Sequence, residues 1–328
     1  MLSKISKIAV LTSGGDAPGM NACIRAVVRS CVYHQLGVVG VHRGYDGLID
    51  GDYEPMQASS VRNIIHRGGT ILRSARSQRF RSPEGMDTAY QAMRTADIDG
   101  LIVIGGDGTF RGALEFSQRH TIPVIGIPGT IDNDLHGSDF TIGYDTALNT
   151  VVEAVDKIRD TAASHDRLFF IEVMGRDAGL IALRAGIAVG AEDILLPEYP
   201  QSIERLLENL ETAHRRKKLS SIVIVAEGEK EGNVFKLAER VRQQMPGKYD
   251  VRVAVLGHIQ RGGSPTCADR VLASRLGIGA VEKIMAGETG KMVGIINNEL
   301  ALTPLSLAVK HINTIPSDWM RVVELLSI

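Results

Sequence analysis

Cysteine is scarce in this chain: Cys23, Cys31 and Cys267 are the whole complement among 328 residues, and no two form a C-x-x-C pair. An odd, widely spaced set argues against a disulfide framework and a structural zinc site, and for a reducing compartment. Excess charge is also missing, since 37 Lys and Arg stand against 38 Asp and Glu, a formal net charge of -1. No global field therefore favours nucleic acid or an acidic membrane surface. No apolar run approaches the ~20 residues that a membrane span needs. Residues 1–7 lack the long apolar core of a signal peptide. Repeats and low-complexity tracts are absent. The expectation is a cytoplasmic chain with neither a nucleic-acid nor a membrane partner.

The composition, 44% hydrophobic and 23% charged, is that of a globular protein. The length suggests about two domains and allows a large core without covalent staples. Apolar runs at 8–12, 37–41, 101–104, 124–127, 168–174, 194–198, 222–226, 253–256 and 292–296 read as strands, the last of them closing the strand series. Helices are expected over 21–35, 61–65, 87–96, 110–119, 145–165, 203–216 and 269–286, with a tail helix around Trp319. Residues 44–69 otherwise read as turns. Strands alternating with helices predict parallel α/β sheets.

The chemistry concentrates where strands end. The run Leu101-Ile102-Val103-Ile104 leads into Gly105-Gly106-Asp107-Gly108-Thr109. Glycines let phosphates approach the backbone, and a helix start supplies positive potential. Asp107 stands where a hard cation bridging phosphates needs a carboxylate, although an acid there also suits helix capping. The next apolar run leads into Pro128-Gly129-Thr130-Ile131-Asp132-Asn133-Asp134, two acids, an amide and a hydroxyl on a turn. Acidic loops on consecutive strand ends are the layout of an α/β crevice. Ser13-Gly14-Gly15-Asp16 follows the first strand but matches neither G-x-G-x-x-G nor G-x-x-x-x-G-K-[ST], so a plain βα turn competes with an anion site there. Arg67, Arg73, Arg76, Arg79 and Arg81 make a basic loop that is either solvated or set beside phosphate. His258 alone would be an ordinary structural histidine; Arg261 beside Gly262 and Gly263 favours an anion-binding loop.

With Met174-Gly175-Arg176, these segments resemble the bacterial ATP-dependent 6-phosphofructokinases, the phosphofructokinase A family, in order along almost the whole chain. The resemblance implies two similar three-layer α/β/α domains with mainly parallel sheets. Residues 1–143 plus about 260–306 would bind nucleotide, and 144–259 plus about 307–328 the sugar phosphate. It implies transfer of the γ-phosphoryl of ATP to O1 of fructose 6-phosphate, giving fructose 1,6-bisphosphate and ADP, the committed step of glycolysis. Asp132 would be the base, with Thr130 and Arg176 as its catalytic partners, Asp107 the Mg²⁺ ligand and Asp134 a support. Aspartate is ordinarily a weak base, so positioning matters more than basicity. Gly14, Arg76, Ser77, Gly106, Asp107, Gly108 and Thr109 would hold ATP. Thr130, Ile131, Asp132, Met174, Gly175, Arg176, Glu227, His258, Ile259, Gln260 and Arg261 would hold the sugar phosphate. Arg167 and Arg252 would reach it from a neighbouring subunit of a homotetramer.

Arg25, Arg29, Arg159, Gly190, Glu192, Arg216 and Lys218 match an effector site for ADP or phosphoenolpyruvate. Ala58, Asn63 and Leu219 depart from its pattern, and His42 and Ser77 depart from the aromatic residues usual near adenine. Pyrophosphate-using relatives carry Asp for Gly108 and Lys for Gly129, so two small residues favour ATP. The alternatives are a pyrophosphate-dependent enzyme, a kinase of the NAD or lipid class, which shares the Gly105–Thr109 turn but not the 257–263 loop, and a non-catalytic metabolite-binding regulatory protein.

Overall fold

The computed structural model describes residues 5–163, 167–216, 221–229, 233–311, 315 and 317–326. In chain order the elements begin with β1 (Lys7–Thr12), α1 (Met20–Tyr33), β2 (Gly37–Val41), α2 (Gly44–Asp50) and β3 (Tyr53–Pro55). There follow α3 (Pro83–Thr95), β4 (Gly100–Gly105), α4 (Asp107–His120), β5 (Val124–Pro128) and α5 (Tyr144–Ala163). Next come β6 (Arg167–Val173), α6 (Leu180–Ala188), β7 (Asp193–Leu195), α7 (Ile203–Arg215), β8 (Ser221–Ala226), α8 (Val234–Gln244) and β9 (Asp250–Val255). The chain closes with α9 (Cys267–Met285), β10 (Lys291–Ile296), β11 (Glu299–Pro304) and α10 (Ser317–Leu326). Two compact units result: Met1–Thr146 with Arg261–His311, and Ala147–Gln260 with Ile312–Ile328.

The first unit is built on a seven-stranded sheet in the order β11-β10-β5-β4-β1-β2-β3. Its five central strands are parallel, and β3 and β11 close the two edges antiparallel. Every residue of β4 is buried, as expected of a strand covered on both faces. Ala9, Leu11, Leu101 and Val103 pack with Tyr45 and Leu48 of α2, Met86 and Met93 of α3, and Phe110 and Phe116 of α4. Each such large side chain contributes about 1.5–3 kcal/mol when fully buried. α1 and α9 pack closely on each other: a β-carbon at Gly277 would lie 2.7 Å from Ala26 Cβ and 3.0 Å from the Cys23 carbonyl oxygen.

The second unit is a four-stranded, wholly parallel sheet, β7-β8-β6-β9. Leu168, Phe170, Val223 and Val225 form its core with Leu206 and Leu210 of α7 and Leu237 and Val241 of α8. Ser202 and Asn233 cap α7 and α8, each side chain accepting the N–H three residues on. Arg184 of α6 lies 4.9 Å from the centroid of Trp319 on α10. The expected α/β class with mainly parallel sheets is what forms.

Several element expectations need correction. Residues 61–65 are turns rather than a helix, because Asn63 takes a left-handed φ of 57° that ends any helical run. Part of the 44–69 stretch is ordered as α2 and β3. The strand at 292–296 is not the last, since β11 hairpins onto β10. α3 starts four residues earlier than its apolar pattern suggested, with Ser82 as N-cap and Pro83 at its first position. Residues 164 and 165, at the end of the helix expected over 145–165, lie outside the described residues.

Candidate active site

β1, β4 and β5 are neighbours in one parallel sheet, so the loops leaving their carboxyl ends lie side by side. The Ser13 N–H donates to the Ile104 carbonyl at 3.0 Å and the Gly129 N–H to the Gly105 carbonyl at 2.9 Å, stitching the loop roots together. α4 begins at Asp107 with Gly106 as its N-cap. Thr109 donates its hydroxyl to the Ser13 carbonyl at 3.0 Å, and its own carbonyl accepts from the Tyr45 hydroxyl at 2.6 Å. This packing leaves no room at Gly105, where a β-carbon would lie 2.4 Å from Thr109 Oγ1. Gly14 is left-handed at φ 86°, and its carbonyl accepts from the Ser74 hydroxyl. A β-carbon at Gly108 would meet nothing within 4 Å. The amino end of α4, with its unpaired-in-helix N–H groups, thus borders open space suited to an anion.

Asp132 is 4% exposed, and its N–H donates to Thr130 Oγ1 at 3.2 Å. Ile131 is fully buried and roots the loop in the core. Asn133, left-handed at φ 50°, clamps the loop: Oδ1 accepts the Thr141 N–H at 2.8 Å and Nδ2 donates to the Asp139 carbonyl at 3.1 Å. Asn tolerates that conformation and bonds locally. The Thr130 carbonyl accepts from the Thr141 hydroxyl at 2.6 Å. Where the loop enters α5, Asp269 of α9 accepts the N–H groups of Gly143 and Thr146, each at 2.8 Å, and the Thr146 hydroxyl. Burial pushes the Asp269 carboxyl above the usual range, although these hydrogen bonds oppose the shift.

Asp107 Oδ1 accepts from Arg111 Nε at 2.9 Å and from the Lys310 N–H at 3.2 Å. Lys310 Nζ lies 3.9 Å from Asp134 Oδ2. Arg261, expected in the sugar-phosphate site, belongs to the first unit, where Nη1 donates to the Asp16 carbonyl at 3.1 Å. Arg76 is exposed, whereas Ser77 is engaged by Asp46 at 2.5 Å and by the Phe80 N–H at 3.1 Å. His42 Nε2 lies 2.9 Å from Glu54.

The second unit gathers the other group. The Met174 N–H donates to Oε1 of the fully buried Gln260 at 3.2 Å, and Gln260 Nε2 donates to the Gly257 carbonyl at 3.0 Å. Gly175 has φ 141°, and a β-carbon there would lie 2.3 Å from the Ala178 carbonyl oxygen. Arg176 is held at φ 53°, a region costly for a non-glycine residue, and its N–H donates to Glu227 at 3.3 Å. His258 and Ile259 are exposed. Arg167 and Arg252 both donate to Asp250 Oδ2, at 3.1 and 2.9 Å. Arg252 first, and then Arg167, hold the Asp250 carboxyl below the usual range.

The effector-type residues divide between the units. Arg25 and Arg29 lie on α1, where desolvation and then the like charge of Arg29 lower the Arg25 pKa. In the second unit Arg159 donates to the Val189 and Gly190 carbonyls, Glu192 is buried, and Arg216 caps α7. Lys218 and Leu219 lie outside the described residues. Ala58 and Asn63 are exposed.

Among the described residues no three His, Cys, Asp or Glu side chains group so as to hold a metal by themselves. The donors fit a hard dication that takes one or two carboxylates and completes its shell with phosphate oxygens and water. Asp107 suits that role: Arg111 and Lys310 fix Oδ1, and Oδ2 carries neither contact. Sequence reasoning overlooked Lys310, Asp269 and Asn21. The Thr266-x-x-Asp269 spacing was a legible capping signal, but Lys310 has no local signature.

The phosphofructokinase family model matches residues 7–284. ATP-dependent 6-phosphofructokinase 1 of Thermus thermophilus is 55% identical over 326 residues, covering 99% of this chain and all of its own. ATP-dependent 6-phosphofructokinase 2 of Bacteroides thetaiotaomicron is 52% identical over 327 residues, 100% of both chains. The phosphofructokinase structure from Saccharomyces cerevisiae superposes with a TM-score of 0.87 at 35% identity, over 98% of this chain and 46% of that longer one. A family match across most of the sequence, relatives above 50% identity at full length, and a common fold agree with the loops described above, and the chain belongs to the phosphofructokinase family.

Proposed function

We propose that this chain transfers the γ-phosphoryl of ATP to O1 of fructose 6-phosphate, releasing fructose 1,6-bisphosphate and ADP. The observation that carries the proposal is the pair of adjoining strand-end loops, one opening α4 at Gly106–Asp107 and the other burying Asp132. Backbone N–H groups at the amino end of α4 receive the polyphosphate, and Gly14, Arg76 and Thr109 border it. Mg²⁺ held at Asp107 would neutralise charge on the β- and γ-phosphates. Asp132 orients the O1 hydroxyl and accepts its proton, with Thr130 beside it as a donor toward developing charge. In the second unit Met174, Arg176, Glu227 and His258 take up the sugar phosphate.

Gly108 and Gly129 favour ATP over pyrophosphate: a β-carbon at Gly129 would crowd Ile104 Cγ2 at 3.0 Å and Met20 Cε at 3.1 Å, so a long side chain there needs rearrangement. A homotetramer with shared active sites agrees with Arg252, Val255 and Ile259 being exposed on and beside the edge strand β9. ADP or phosphoenolpyruvate would act near Arg159 and Gly190. A cytoplasmic setting agrees with there being no helix, among the described residues, long and apolar enough to cross a membrane. Initial velocities with fructose 6-phosphate, Mg²⁺ and either ATP or pyrophosphate test the proposal. Turnover with ATP alone is expected; turnover with pyrophosphate alone overturns the donor assignment, and none with either overturns the activity.

A further inference from the structure

The end of the first unit forms a strap along the Asp132 loop. Leu135 and Lys310 make an isolated antiparallel bridge. The His136 N–H donates to the Val309 carbonyl at 3.2 Å, and the His311 N–H donates to the Asp134 carbonyl at 2.7 Å. Lys310, between them, serves two acids that follow different strands. Its backbone N–H holds Asp107 Oδ1 at 3.2 Å, and its ammonium lies 3.9 Å from Asp134 Oδ2. The Asp134 side chain is 9% exposed and that of Lys310 24%, so water screens this charge pair only in part. A buried carboxylate without a compensating cation would repel an incoming polyphosphate.

We propose that Lys310 is a positioning residue of the phosphoryl-transfer site. Its N–H fixes the Asp107 carboxylate, and its ammonium offsets the charge of Asp134, lowering the negative potential that nucleotide phosphates meet. The inference rests on the ATP-dependent activity proposed above.

Lys310→Met keeps the backbone N–H, the apolar stem and the strap's backbone hydrogen bonds, and removes the ammonium; Lys310→Gln is measured beside it. The readout is equilibrium affinity for a non-hydrolysable ATP analogue, with and without Mg²⁺, together with KM for each substrate. The expected result is a roughly tenfold loss of analogue affinity, the usual scale for a residue that supports a site's ligands. The KM for fructose 6-phosphate should stay unchanged, and Lys310→Arg should bind nearly as wild type because the charge is kept. In an Asp134→Asn background the Lys310→Met loss should shrink to about twofold or less, since the charge to be offset is gone. Wild-type affinity in both Lys310→Met and Lys310→Gln overturns the inference, and so does a loss of the same size whether or not Asp134 is present. Failure of the wild-type protein to bind the analogue overturns the underlying activity as well.

Discussion

Replacing Asp269 by Ala removes a carboxylate that is 1% exposed and accepts three hydrogen bonds, from the Gly143 and Thr146 N–H groups at 2.8 Å and from the Thr146 hydroxyl at 2.5 Å. The substitution leaves two buried peptide N–H groups without that acceptor, at about 1–3 kcal/mol each, and it also vacates the carboxyl volume. A loss of roughly 3–5 kcal/mol follows, equivalent to a fall in thermal midpoint of about 10 °C for a unit of this size. Circular dichroism melts of the wild type and variant measure it. The pH dependence supplies a second check. Burial raises the folded pKa of Asp269 above its ordinary value, so the folded state favours the protonated acid. The group's contribution is then fully present below the unfolded pKa and is lost as pH rises through the folded pKa. Asp269→Asn removes this titration, so its deficit relative to wild type should be largest below the unfolded pKa of about 3.9 and shrink as pH rises through the raised folded pKa. An Ala variant within 1 kcal/mol of wild type, or an Asn deficit that grows with pH, would refute the reasoning.

Asp132→Ser should lower kcat by about 10²–10⁴, the usual contribution of a positioned acid or base, while calorimetry still detects fructose 6-phosphate binding; near-normal turnover would remove Asp132 from the mechanism. Gly108→Asp introduces a side chain where a β-carbon meets nothing within 4 Å. The melting temperature should therefore hold while the KM for ATP rises roughly tenfold through like-charge repulsion. Asn21→Ala removes a buried side chain that donates to the Arg67 and Gly68 carbonyls at 3.1 and 3.0 Å and accepts the Ile71 N–H at 2.7 Å. It should cost roughly 2–3 kcal/mol and raise the KM for ATP by loosening the basic loop, and an unchanged KM would separate that loop from nucleotide binding.

How much of this was legible depended on how local each signal is. β1, β4 and β5 are short apolar runs because both faces of the sheet are covered, and their exit loops announce themselves by glycine and acid density. α2 escaped notice because seven residues between left-handed Arg43 and Gly51 carry too little periodicity. α6 reads Leu-Ile-Ala-Leu-Arg-Ala-Gly-Ile-Ala, apolar on nearly every side, and so lacks an amphipathic stripe. α8 was not among the expected helices although its signal is local: Val234, Leu237, Ala238 and Val241 fall on one helical face behind the Asn233 cap. The Asp107, Asp132 and Arg261 loops stood out from residue type, but the neighbours of each did not. That Arg261 rests on the Asp16 carbonyl, or that Lys310 serves two acids, follows from pairings between distant parts of the chain that no window of sequence contains.

Strand order also bears on how the molecule comes into being. Within its sheet β5 is flanked by β4 and β10, and β10 is made only after Ala147–Gln260, the main segment of the second unit, has been synthesised. A chain emerging from the ribosome therefore holds β5 with one side unpaired until residues 291–296 arrive. The inserted unit's sheet, β6 to β9, is by then already complete in sequence. Non-local parallel pairing of this kind is slow and leaves strand edges open to misassociation while it waits. Maturation of the Asp132 loop is thus tied to the chain from Lys291 onward, and a ribosome that stalls before Lys291 releases a first unit whose sheet lacks β10 and β11.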